Sequence, residues 1–104
     1  YEEKHFDTAS KQGRLRLIAS PDGREGSVSL RQEASIFAAI LNGADEVEHA
    51  IAPGRQLYVH VIRGSVKVNG IELSGGDAAH VDKETAIRMT EAKGSEVLVF
   101  DLPY

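Results

Sequence analysis

Asn69-Gly70 sits between Ser65-Val66-Lys67-Val68 and Ile71-Glu72-Leu73, two short runs in which apolar and polar side chains alternate. A two-residue type I′ turn needs φ > 0 at both central positions, and Asn-Gly meets that need at little steric cost. The sequence therefore predicts a tight hairpin, and the same period of two recurs on either side of it. Arg14-Leu15-Arg16-Leu17-Ile18 alternates ahead of the turn Ser20-Pro21-Asp22-Gly23, and Ser27-Val28-Ser29-Leu30-Arg31 alternates after it. Glu46 to Ile51 puts Val47, His49 and Ile51 on one face. Leu57 to Ile62 is a continuous apolar and aromatic run behind Pro53-Gly54. After the turn Gly75-Gly76-Asp77, Ala86 to Thr90 and Glu96 to Leu102 supply two final strands. Ala34 to Leu41 is ambiguous. Its Ala, Ile and Leu suit a helix that Asn42-Gly43 would cap, and its neighbours favour a strand. Strands at this spacing, separated by glycine turns, predict an all-β single domain of barrel or sandwich type. Residues 1–13 are polar and aperiodic and read as an N-terminal arm or interdomain linker, with the domain proper over 14–104.

A chain of 104 residues buries enough surface for one core without covalent staples. It has no cysteine, which excludes disulfides, zinc–thiolate sites and thiol nucleophiles and suits a cytoplasmic location. Its net charge of −4 is spread over interspersed acids and bases, so no basic face forms for phosphates. Its three Phe and three Tyr are not interleaved with basic residues, and nucleic acid is not an expected partner. Ile36 to Leu41, the longest apolar stretch, is too short to cross a bilayer, and no signal peptide opens the chain. The first residue is Tyr1 rather than Met, so a fragment or trimmed product is expected. Ser20, Ser27, Ser29 and Ser35 lack a nucleophile-elbow context, and Asp22-Gly23 and Gly75-Gly76-Asp77 read as turns rather than ion-binding loops. The acidic stretch Asp45 to Glu48 reads as a solvated strand edge.

The succession Arg63-Gly64, Asn69-Gly70, Gly76-Asp77 resembles the core of a cupin barrel, a double-stranded, jelly-roll-like β-sandwich. The whole pattern resembles the C-terminal domain of pirin-like proteins, the bicupin family that includes bacterial quercetin 2,3-dioxygenases. The residues that carry this are Arg14 to Val28, Ala52-Pro53-Gly54-Arg55, Arg63 to Gly70, Gly76-Asp77 and the closing Glu96 to Leu102.

That resemblance implies where metal ligands would stand. A catalytic cupin gathers three His and one acid around a single ion. Counting from Gly64 and Gly76, the acid position is Leu57 and the third His position is Ile87. The paired-His positions are Ala50 and Ala52, or Ile51 and Pro53 one residue on. These degenerate positions imply no metal, no cofactor and no catalytic residue in this domain. The family's divalent metal, such as iron or copper, would belong to a preceding N-terminal cupin. His49 is the near miss, read as a partly buried side chain bonded to backbone, because a lone imidazole holds metal poorly. His60 and His80 read as structural histidines and His5 as solvated.

In the register set by Gly64, Leu57, Val59 and Val61 point into the barrel with Ile87, and Tyr58, His60 and Ile62 point out. The expected role is that of a metal-free structural or interaction partner of the N-terminal cupin of the same parent chain. The outward strand serves as the interface, or pairs a homodimer. A small-ligand site in the barrel interior and an enzyme site shared with a partner are the alternatives.

Overall fold

The structure, a computed structural model, describes residues 6–29, 33–82 and 84–103. His5, Leu30 and Arg31 lie outside the described residues. A helical turn, α1 (Thr8–Lys11), is followed by β1 (Arg16–Ser20), a 3-10 turn (Arg24–Gly26), β2 (Val28–Ser29) and β3 (Ser35–Gly43). Then come β4 (Val47–Ala50), β5 (Arg55–Val68), β6 (Ile71–Ser74), β7 (Ala78–Val81) and β8 (Ala86–Pro103). The strands form one sheet ordered β2-β1-β3-β8-β5-β6, with β4 also on β8 and β7 also on β5. The fold is the all-β cupin type, and the ambiguous segment Ala34 to Leu41 is strand from Ser35 onward. Within the segment read as an arm, α1 lies against β3, and the Gly13 N–H donates to the Ile40 carbonyl at 2.8 Å.

The long strands β5 and β8 decide the architecture. They pair antiparallel from Arg55 opposite Pro103 to Val68 opposite Met89. The sequence predicts a strand ending at Arg63-Gly64 and two separate final strands, whereas both ladders run on through those points. The ladder slips register at several places between Val61 and Lys67, as bulges do when they bend a strand. Positive φ at Gly64 (71°), Glu91 (50°) and Gly94 (53°) accompanies the bend. Inward parity changes with it: Leu57, Val59 and Val61 are buried before the bend, and Val66 and Val68 after it. One half of the ribbon is flanked by β3 and β7 and the other by β4 and β6. Folding the ribbon over closes both halves on one core, in which Ala39 and Leu41 pack with Val59, Val66, Ile87 and Met89.

The tightest point of the bend is Gly64, where a side-chain carbon would collide with the backbone of Gly94 and Lys93. At the Asn69-Gly70 hairpin both φ angles are positive (49° and 83°), and Val68 pairs with Ile71. The Asn69 side chain fastens this turn to β8, its Oδ1 accepting the Arg88 N–H at 2.8 Å. Open space surrounds Gly70, so only its backbone angle constrains the residue. Gly70→Val is expected to lower stability by more than ~1 kcal/mol, since a β-branched residue resists φ > 0. A melting temperature unchanged by the substitution would contradict this.

Candidate functional site

The pairing register brings several inward-facing residues to one end of the barrel. Leu57 lies opposite Asp101, Ser35 also lies opposite Asp101, and His49 lies opposite Ile87. Directly opposed residues share a face of the sheet. Leu57 and Ile87, the acid and third-His positions, are fully buried in the core. The paired-His count needs correction. Ala50 and Ala52 are exposed, whereas His49 shares the face of Ile87, and Ile51 packs against the core. Between β4 and β5 runs a turn closed by the Arg55 N–H on the Ala52 carbonyl at 3.1 Å, and a linear count back across it does not fix facing.

His49 has a carboxylate as its side-chain partner, not the backbone partner the sequence suggests. Its Nε2 lies 3.4 Å from Asp101 Oδ2, and its ring lies 4.8 Å from that of Phe37. Arg55 Nε donates to Asp101 Oδ1 at 2.8 Å, while its Nη2 donates to the carbonyls of Asp101 at 3.0 Å and Glu33 at 2.7 Å. These side chains are 22% (His49), 23% (Arg55) and 16% (Asp101) exposed, so water screens the cluster only partly. Arg55 and Asp101 are the site residues that the sequence reading missed. The available signal was parity, because Asp101 continues the inward series Val97, Val99.

Chemically, Arg55 neutralises Asp101, the carboxylate that contacts His49. Leu57, Ile51 and Ile87 offer no donor atoms, and Asp101 is already engaged, so this set does not fit a metal ion. Among the described residues no group of three or more His, Asp or Glu comes together. The interior lined by Leu57, Val59, Val61 and Ile87 is itself core, each residue 0% exposed and packed in one cluster.

The opposite face of the same strands is apolar and partly covered, with Ala38 buried and Ile36, Leu98 and Phe100 half-buried. Tyr58 is 39% and Ile62 44% exposed, and His60 is half-buried between them. In register, Tyr58 adjoins Phe100 and then Ile36, and His60 adjoins Leu98 and then Ala38. His80 stacks on Tyr58 with ring centroids 4.4 Å apart and planes 8° from parallel, while its Nε2 lies 2.6 Å from Gln56 Oε1.

Residues 17–102 match the family model described as the quercetinase C-terminal cupin domain. The chain belongs to that family. It is 36% identical over 103 residues to the quercetin 2,3-dioxygenase of Escherichia coli K12, covering 99% of this chain and 43% of that protein. The crystal structure of YhhW from Escherichia coli superposes with a TM-score of 0.90 at 34% identity, covering 99% of this chain and 43% of that one. A structure of the bacterial pirin YhhW in complex with nickel(II) gives 0.89 at 34% identity, with 98% and 43% covered. The chain thus spans less than half the length of these relatives.

Two further surface features of this quercetinase C-terminal cupin domain bear on function. Between β6 and β7, which each pair with β5 and not with one another, lies a cleft of about 280 Å³. Surface ion pairs also bridge the strands. Glu91 holds the Lys67 ammonium above its ordinary pKa from 3.0 Å across the β5–β8 bend, and Glu46 does the same for Arg88 between β4 and β8.

Proposed function

We propose that this domain is the metal-free, non-catalytic half of a two-cupin cytoplasmic protein, packed against a metal-binding N-terminal cupin with quercetin 2,3-dioxygenase-like activity. The observation that carries the reading is the inward set Leu57, Ile51 and Ile87, with His49 and Asp101 tied into an ion-pair cluster by Arg55. A carboxylate already held by a guanidinium and an imidazole without further donors bind a divalent ion poorly. In the two-cupin protein the iron, copper or similar metal, and the oxygen chemistry it supports, then belong to the other half. The share of the relatives that this chain covers leaves room for such a half.

The apolar outer face of Tyr58, His60 and Ile62 supplies the packing surface, since an uncovered sheet face in a small β domain is normally polar. Burying one Tyr or Ile gives roughly 2–3 kcal/mol, enough to favour cover by the partner cupin, or by a second copy when the domain is alone. Elemental analysis after chelator dialysis tests the metal half of the proposal: the domain should hold no stoichiometric transition metal, and a full equivalent of iron, copper, nickel or manganese would refute it. Sedimentation tests the surface. Self-association of the isolated domain should be abolished by Tyr58→Glu with Ile62→Glu, and a monomer whose stability those changes leave untouched would sink the interface.

A further inference from the structure

Among the described residues β2, β4, β6 and β7 each pair with a single neighbour, and these edges are not alike. β2 is two residues long, β4 carries Glu48 and β6 carries Glu72. Short length and charge are what keep an edge strand from pairing further. β7 reads Ala-Ala-His-Val, with neither an acid nor a base of fixed charge and no proline. Its backbone is also open. The Val61 N–H donates to the Asp77 carbonyl at 2.9 Å, and bonded pairs alternate along an antiparallel ladder. Ala79 and Val81 therefore turn their N–H and C=O groups to β5, and Ala78 and His80 turn theirs away. Among the described residues these outward groups have no partner, and both residues are exposed.

Beside the same edge lies the cleft of about 280 Å³, floored by Val68, Leu73, Ala79 and Val81, with Ile71 above it at 67% exposure. Side chains alternate along a strand, so a strand added to β7 would turn every second side chain toward this floor. Unpaired backbone next to an apolar cleft is what strand addition uses, main-chain bonds holding the segment and the cleft taking alternate side chains. A second β7 would bring only Ala79 and Val81 as inward side chains, which fill little of the cleft. We propose that β7 is a docking edge for an extended segment of a partner protein with bulky aliphatic residues at alternate positions. The segment bonds to the N–H and C=O groups of Ala78 and His80 and lays its inward side chains over Val68, Leu73 and Val81. It extends the layer formed by β3, β8 and β5. The contact is separate from the barrel-end cluster and does not depend on the metal-free role proposed above.

The test is a titration of the ¹⁵N-labelled 104-residue chain with an acetylated, amidated peptide that alternates threonine with three isoleucines. The peptide should give saturable amide shifts confined to residues 68–73 and 77–82, and should slow solvent exchange at the amides of Ala78 and His80. Its analogue N-methylated at every interior residue keeps the side chains, loses the donors and should not saturate. Serine in place of the isoleucines keeps the donors and should weaken binding at least ~tenfold. Ala78→Pro removes one outward N–H at a position where an edge strand accepts proline, and should weaken the peptide about fivefold or more. Absence of saturation, exchange at Ala78 and His80 left unchanged, or equal binding of the N-methylated or serine peptide would overturn the assignment. Unaltered affinity in a folded Ala78→Pro chain would do the same. Shifts of the same amides on raising protein concentration alone would make a second copy the occupant and overturn it equally.

Discussion

Gly64→Ala is expected to lower stability by about 3 kcal/mol or more. The left-handed backbone at Gly64 (φ 71°) costs an alanine roughly 1–2 kcal/mol. The added carbon must also displace the carbonyl of Gly94 and the backbone of Lys93, both on the partner strand, and overpacking of this kind costs ~1–3 kcal/mol. A domain of this size loses about 4–8 °C of melting temperature per kcal/mol, so the shift exceeds roughly 10 °C. Gly94→Ala is the internal control. Its φ is also positive (53°), but open space surrounds it, so only the backbone cost of roughly 1–2 kcal/mol applies. Equal losses at the two glycines would show that strand proximity at Gly64 is not what the bend requires.

Asp101→Ala should cost about 2 kcal/mol. The substitution leaves Arg55 with a partly buried charge and only carbonyl acceptors, and deprives His49 of its side-chain partner. Breaking a fully buried pair costs ~3–5 kcal/mol, and the partial exposure of this cluster reduces that figure. Asp101→Asn keeps an acceptor for Arg55 and should cost about half as much. Urea denaturation measures both, and an Asp101→Ala curve superimposable on the parent would remove the cluster from any structural role.

Local patterns made much of the sheet readable, and long-range pairing hid the rest. The Asn69-Gly70 hairpin was legible because two residues dictate it. The segment Ala34 to Leu41 was ambiguous because β3 lies between β1 and β8 and is buried on both faces, with Ala38 at 4% and Ala39 at 0% exposure. A strand covered on both sides loses its alternation and reads as a plain apolar run. The bends in β5 and β8 were misread as strand ends because Gly64 and Gly94 look the same in sequence whether a chain turns back or folds over. The barrel-end cluster was the least legible. Asp101 stands 52 residues from His49 and 46 from Arg55, and only the sheet joins them.

The continuous β5–β8 ribbon also bears on how the molecule can come apart. Each layer of the sandwich takes half of the same two strands, so the layers are joined through both strands of the ribbon and bury one shared core. Partial unfolding of one layer would expose the core it shares with its neighbour, which favours all-or-none melting over stepwise loss. The ribbon joins segments that are up to 48 residues apart, Arg55 with Pro103, and must close before much of the core can form. Pairings this non-local predict folding in the millisecond-to-second range typical of all-β domains.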